Sequence, residues 1–191
     1  MIAIVDYGLG NVLNVKRAVE HLGYDVVLTR DVTTLEQAET LILPGVGHFK
    51  DAMKTMERLQ LDSFLKTTPQ PIIGICLGMQ LLYDWSAEGD VRGLGRIPGK
   101  IEAIQTPYTV PHLGWNNLYS DDSTLKDDVY FIHSYQAPMT DVVVAYADYG
   151  TAIPAIIQQG TTIGIQFHPE KSGDAGLAIL KQALKGGWIH D

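Results

Sequence analysis

Three residues in this chain could together carry out a nucleophilic displacement: the only cysteine, Cys76, and a histidine and glutamate two positions apart, His168 and Glu170. Cys76 stands in Gly74-Ile75-Cys76-Leu77-Gly78, with an apolar run on either side. A thiolate attacks carbonyl carbon well, but it needs a base nearby, and the base needs a third group to set its tautomer. His168-Pro169-Glu170 offers an imidazole, a proline that ends strand pairing, and a carboxylate spaced to turn back onto the ring. Alone, Cys76 reads equally as a buried structural thiol, and His-Pro-Glu reads more often as a structural turn. Together they pose a Cys-His-Glu triad.

Such a triad must be positioned by rigid elements. "PIIGI" before Cys76 reads as a strand buried on both faces, and "LGMQLLYDW" after it opens a helix. G-x-C-x-G between them has the form of a nucleophile elbow. The turn leaves no room for flanking side chains, so glycine stands on both sides. The central residue is pushed up at the carboxyl edge of the sheet. The N–H groups of the following helix favour a thiolate and can hold an oxyanion, which makes Leu77 N–H a candidate donor. "TIGIQF" reads as a strand, and His168 sits where it ends.

The remainder supplies the frame. "IAIV" at 2–5, "DVVLT" at 25–29 and "TLILPG" from residue 40 are further strands. Asn11 can cap a helix that stops near Gly23, and a short, weakly capped helix falls around 34–38. "FKDAMKTMERLQLDSFLKTT" reads as one long amphipathic helix, with Phe49, Met53, Met56, Leu61 and Leu65 on its apolar side. This alternation predicts an α/β fold: a mostly parallel central sheet with helices on both faces. From about 99 to 167 the pieces "KIEAI", "NNLYS", "VYFIHSY", "VVVAYA", "AIIQQG" and "TIGIQF" predict an antiparallel meander added to that sheet. A last helix, "SGDAGLAILKQAL", is expected to be capped by Ser172 and ended by Gly186 and Gly187.

Composition narrows the function. The 191 residues suit one domain, 1–191. With 46% hydrophobic and 19% charged residues the chain reads as globular, and a net charge of −8 argues against nucleic acid as partner. One cysteine forms no internal disulfide, "MIAIVDYG" lacks a signal peptide's basic and apolar regions, and no apolar run approaches the roughly 20 residues of a membrane span. A cytoplasmic setting without membrane contact follows. No histidine or acid cluster has metal-site spacing. Gly8-Leu9-Gly10 opens like a dinucleotide fingerprint, but Leu13 stands where the third glycine belongs, so no cofactor is expected. His21 and His190 read as solvated. His48, His112 and His133 stay without a role. Trp115, Tyr119 and Tyr135 read as core or as interface aromatics.

"GICLGMQLL", "LPGVG" and "GIQFHPEKS" resemble the nucleophile elbow, oxyanion strand and His-Glu segment of the class I, triad-type glutamine amidotransferases. The resemblance runs over essentially the whole chain. Within that family, "IVDYGLGNV", "PHLGWN", "FIHSY" and "HPEKS" resemble the glutaminase subunits of imidazole glycerol phosphate synthases. The anthranilate and aminodeoxychorismate glutaminase subunits share the elbow and the His-Glu segment, but are less similar at "DYGLGN" and "PHLGWN". The resemblance implies a three-layer, flavodoxin-like fold and hydrolysis of the glutamine side-chain amide through a cysteinyl thioester. It adds an oxyanion donor from Gly45-Val46-Gly47, and glutamine held by Gly45, Gln80, Glu88, Ser134 and Tyr135. Gln80 reads equally as a structural cap of the pocket wall. In "YDWSAEGD" only Glu88 remains of the two successive acids that relatives often carry.

The resemblance also implies a partner, a cyclase subunit with a (β/α)8 barrel in a heterodimer. That subunit uses the ammonia to make imidazole glycerol phosphate and aminoimidazole carboxamide ribonucleotide. Asn11, Trp115, Tyr135 and Lys171 are candidates for the docking face, with Lys171 reading equally as solvated. Low activity of the chain alone is expected, with "PGVG" holding a peptide that flips on partner binding. Rival readings are a chorismate-serving glutaminase subunit, a non-catalytic interaction module, and a cysteine hydrolase acting alone.

Overall fold

The computed structural model describes residues 1–189; His190, expected to be solvated, lies outside them. Thirteen strands and six α-helices follow one another in it. The first half runs β1 (Ile2–Val5), α1 (Val12–His21), β2 (Val26–Thr29), α2 (Val32–Glu36), β3 (Thr40–Leu43), α3 (Phe49–Arg58), α4 (Leu61–Thr67), β4 (Ile72–Ile75) and α5 (Leu77–Leu81). The second runs β5 (Tyr83–Ser86), β6 (Val91–Arg92), β7 (Ile97–Ala103), β8 (His112–Asn117), β9 (Asp128–His133), β10 (Tyr135–Gln136), β11 (Val143–Asp148), β12 (Ala152–Gln159), β13 (Thr162–Ile165) and α6 (Gly173–Leu184).

The central sheet has seven strands in the order β11-β12-β13-β4-β3-β1-β2. The five from β13 to β2 are parallel, and β12 and β11 extend them antiparallel. Successive strand residues face opposite sides, so Ile2 and Ile4 join one core cluster while Ala3 and Val5 join the other. Val15 and Val19 of α1 and Leu180 of α6 cover the first face. Leu35 of α2, Met53 of α3 and Leu65 of α4 cover the second. Strands buried on both faces have no polar side to show, which is why β1, β3, β4 and β13 are almost wholly apolar, with Thr40 and Thr162 at the starts of β3 and β13.

Several elements differ from the sequence expectation. The long amphipathic helix is two, broken where Gln60 takes a left-handed conformation, φ 58°. On one continuous helix Leu61 and Leu65 would sit roughly 120° and 160° round from Phe49. The break turns them back, and all five expected apolar residues are fully buried. The short helix starts at Val32 and is well capped: the Asp31 carboxylate accepts Thr34 N–H at 3.0 Å. The helix after the elbow ends at Leu81, and Tyr83–Ser86 pairs with β6 and β7. The meander divides into three: β11 and β12 join the main sheet, β10-β7-β5-β6 form a second sheet, and β8-β9 form a separate hairpin. Asn11 holds the N-cap position of α1 without a side-chain cap bond, and so does Ser172 for α6. The Ser172 hydroxyl is engaged elsewhere: it donates to His168 O at 2.6 Å and accepts Tyr130 N–H at 2.9 Å.

Candidate active site

Three neighbouring parallel strands end at one edge of the sheet. β4 lies between β3 and β13, with Leu43 and Gly74 in register on one side and Ile165 and Ile75 on the other. The chain leaves β3 into Pro44-Gly45-Val46-Gly47, β4 into Cys76, and β13 into Gln166-Phe167-His168. Residues far apart in sequence thus meet at the carboxyl edge, where open α/β sheets hold their ligands.

Cys76 forms the corner with φ 55° and ψ −113°, a strained conformation for a non-glycine residue. Its amide donates to Ile165 O at 2.8 Å. A methyl group on Gly78 would come within 1.8 Å of Leu43 O, and one on Gly74 within 2.6 Å of Gly78 O. The corner therefore requires both glycines for close approach. Cys76 is largely buried, 7% exposed, with Sγ 3.8 Å from Ile132 O and 4.0 Å from the Gln166 side-chain amide.

His168 Nδ1 is 2.8 Å from Glu170 Oε1, and both side chains are almost wholly buried. A carboxylate accepting from Nδ1 leaves Nε2 to face the site, and Nε2 has no hydrogen-bond partner among the described residues. Burial lowers the pKa of His168, but Cys76 and Glu170 outweigh it, so the imidazole is held up at about 10. The short turn Pro169–Lys171 gives the ring its place: His168 N–H donates to Tyr130 O, and His168 O receives Ser172 Oγ.

Cys76 and His168 line one cavity of about 360 Å3, together with Val46, Gly47, Leu77, Gln80, Glu88, Ser134, Tyr135 and Lys171. Nearly all the residues proposed from sequence for chemistry or substrate are therefore in one place. Glu170 stands behind His168 and Gly45 behind the wall. Gly45 is confined there, since a methyl group would lie 2.6 Å from the Tyr7 hydroxyl, which itself donates to Pro44 O at 2.8 Å.

Several of these residues are engaged in ways the sequence did not announce. Leu77 N–H is not free: it donates to Gly45 O at 3.3 Å. Glu88 Oε2 accepts Phe49 N–H at 2.9 Å, a carboxylate at the positive end of α3. Gln80 Nε2 donates both to Tyr135 O and to Gln166 Oε1, each at 3.0 Å, so it braces the pocket wall that it also lines. Trp115 does not border the cavity; it stands 58% exposed on β8. Asn11 is likewise away from the cavity, half-buried ahead of α1.

Four residues without an expected role also stand at the site: Gln166, His133, Pro111 and Ile132. Gln166 was findable, because it is two residues before His168 on the same run and so shares its face. The other three line the cavity through the separate hairpin and its approach. His133 is pushed down to about 3, by burial above all and by the neighbouring His112 and His168; its bond to Tyr135 O opposes them. His112 is lowered by burial to about 4. Both are neutral near pH 7. Among the described residues no group of three or more His, Cys, Asp or Glu is placed to hold a metal ion, and no helix is long and apolar enough to cross a membrane.

The geometry agrees with comparisons across known proteins. A solved structure described as a glutamine amidotransferase superposes with a TM-score of 0.79 at 20% identity, over 97% of this chain and 98% of that one. The PurLQS structure from Thermotoga maritima superposes with 0.69 at 19% identity, covering 96% and 97%. At these identities the likeness is one of fold. A protein of Staphylococcus aureus named imidazole glycerol phosphate synthase subunit HisH is 65% identical over the full length of both chains. One of the same name from Staphylococcus saprophyticus is 62% identical over all of this chain and 97% of its own. The family model for glutamine amidotransferase class-I matches residues 3–185, and the chain belongs to that family.

Proposed function

We propose that this chain is the glutaminase subunit of an imidazole glycerol phosphate synthase, with Cys76, His168 and Glu170 as its triad. The observation that carries the chemistry is the meeting of Cys76 and a Glu170-bound His168 on adjacent strand ends in one cavity. The names of the full-length relatives support the subfamily.

The thiolate of Cys76 attacks the side-chain amide carbon of glutamine, and the carbonyl electron pair moves onto oxygen. His168, protonated at Nε2, gives its proton to the nitrogen, and the carbon–nitrogen bond breaks to release ammonia. Neutral His168 then takes a proton from water, whose oxygen attacks the thioester. Glutamate leaves and the thiolate returns. Glu170 keeps Nδ1 protonated throughout and stabilises the imidazolium. The oxyanion is held by Leu77 N–H and by Val46 or Gly47 N–H. Gly45 O is turned toward Leu77 N–H, so the Gly45–Val46 peptide must rotate before the second donor faces the site. Gln80, Glu88, Ser134, Tyr135 and Gly45 hold the glutamine.

Ammonia made without capture is wasted, so the chain works in a heterodimer with a (β/α)8-barrel cyclase subunit in the cytoplasm. Asn11, Trp115 and Lys171 contact that subunit around the open edge of the sheet, and its binding selects the rotated peptide. The whole chain acts as one amidotransferase domain.

The test is glutamate release by wild type and Cys76→Ala, with and without the cyclase subunit and its ribonucleotide ligand. Strong stimulation of wild type and no release by the variant supports the reading. Release indifferent to that partner moves the chain to another amidotransferase. No release in any combination leaves an interaction module.

A further inference from the structure

A chain of hydrogen bonds runs from the β8–β9 hairpin into the cavity wall, and the triad mechanism makes no use of it. His112 and His133 are direct cross-strand partners, with His112 Nδ1 3.0 Å from His133 Nε2. His133 Nδ1 is 2.8 Å from Tyr135 O, and Asn116 Nδ2 is 3.3 Å from His112 Nε2. A carbonyl only accepts, so His133 must carry its proton on Nδ1. Its Nε2 is then an acceptor, which requires His112 to be protonated on Nδ1 as well. The acceptor left on His112 is met by the Asn116 amide. Every ring proton in this row is thereby assigned. His112 is further confined by stacking between Phe131 and Tyr149, at 4.5 and 4.1 Å between ring centroids.

The row ends on a carbonyl shared with the substrate wall. Tyr135 O also accepts Gln80 Nε2–H, and Gln80 passes on to Gln166. Ser134, between His133 and Tyr135, lines the cavity, so the bond from His133 to Tyr135 O closes a turn around it. We propose that His133 is a positioning residue for glutamine: its Nδ1–H, oriented by His112, fixes the Ser134–Tyr135 turn and the Gln80 amide against the bound substrate. This rests on the glutaminase reading above. It predicts a defect in holding substrate, separate from any defect in the thiol.

Two measurements test it. The first needs no activity: long-range proton–nitrogen NMR of the wild-type chain at pH 7. Both His112 and His133 are expected as neutral Nδ1–H tautomers, and an Nε2–H tautomer or a cation at either position overturns the proposal. The second uses the chain assembled with its cyclase subunit, comparing His133→Leu with His133→Asn. Asparagine keeps a donor near the Nδ1 position; leucine has none. For leucine we expect KM for glutamine to rise about tenfold or more, with asparagine recovering most of the loss. Iodoacetamide labelling of Cys76 should stay within about twofold, since only the substrate wall has moved. Wild-type kinetics in the leucine variant, an asparagine variant no better than leucine, or labelling slowed as much as turnover each overturns it. If wild type itself releases no glutamate with its partner, the glutaminase reading fails, and the tautomers still decide whether the row exists.

Discussion

The amide of Leu77 donates to the carbonyl oxygen of Gly45 at 3.3 Å. A group proposed to stabilise the oxyanion is thus satisfied within the protein, by the strand proposed to supply the second donor. The peptide following Gly45 has its oxygen, not its N–H, toward the site. Losing one oxyanion donor costs roughly 100- to 1,000-fold in turnover. Glutaminase activity of the chain alone is therefore expected to be at least about 100-fold below that of the liganded complex. Gly47 sits at φ 101°, where a side chain is strained, so Gly47→Ala should lower the stimulated kcat while leaving KM for the ribonucleotide unchanged. Steady-state glutamate release checks both.

The place of His168 between Cys76 and Glu170 has a pH signature. The folded-state pKa of His168 is raised to about 10, above the ordinary histidine value of about 6.5. The stability from this raised pKa is fully present below about 6.5 and is lost as pH rises through about 10. Glu170→Gln removes the carboxylate from a buried charged pair, for which a cost of about 3 kcal/mol is usual. We expect that cost near pH 6 and a much smaller one above pH 10, read from urea midpoints across the range.

Ser172 holds the histidine turn to β9 through both of its hydroxyl bonds, to His168 O and from Tyr130 N–H. It is 2% exposed, so no solvent replaces what is lost. Ser172→Ala should cost about 1–3 kcal/mol, a fall in melting temperature of roughly 2–12 °C for a chain of this size. Because His168 loses one of the two backbone bonds that place it, turnover should fall by more than the unfolded fraction explains. Calorimetry beside single-turnover kinetics separates the two.

Trp115 is 58% exposed, and its ring lies edge-to-face with Tyr130 at 6.0 Å between centroids. Its removal should leave the isolated chain nearly unchanged in stability. As a proposed anchor of the docking face, Trp115→Ala should weaken partner binding by about 2 kcal/mol, roughly 30-fold. Titration calorimetry with the cyclase subunit reads the loss, and unchanged affinity would remove Trp115 from the interface.

Much of the frame was legible because its signals are local. Short, almost wholly apolar runs such as "IAIV" and "TLIL", bounded by turn residues, read as strands buried on two faces. Gly74 and Gly78 mark a corner that admits no side chain. Less legible were elements whose form depends on what they pack against. Phe49, Met53 and Met56 fit a helix well, and nothing local tells that Leu61 must be turned back by a left-handed residue at Gln60. "LLYDW" continues a helix by pattern, yet its last residues find strand partners in β6 and β7.

By itself the sequence determined the chemistry available: one thiol at a glycine corner, one imidazole with a carboxylate two residues on, and alternating elements that make a parallel sheet. These depend on residue type and short spacing, which a chain carries before it folds. The tertiary structure decided which groups are free to act. Long-range strand pairing set Cys76 between the ends of β3 and β13, turned Gly45 O onto Leu77 N–H, placed Glu88 on the start of α3, and closed the His112–His133 row. A hydrogen bond is a matter of a few tenths of an ångström and of direction, and both are settled only when distant segments are packed together.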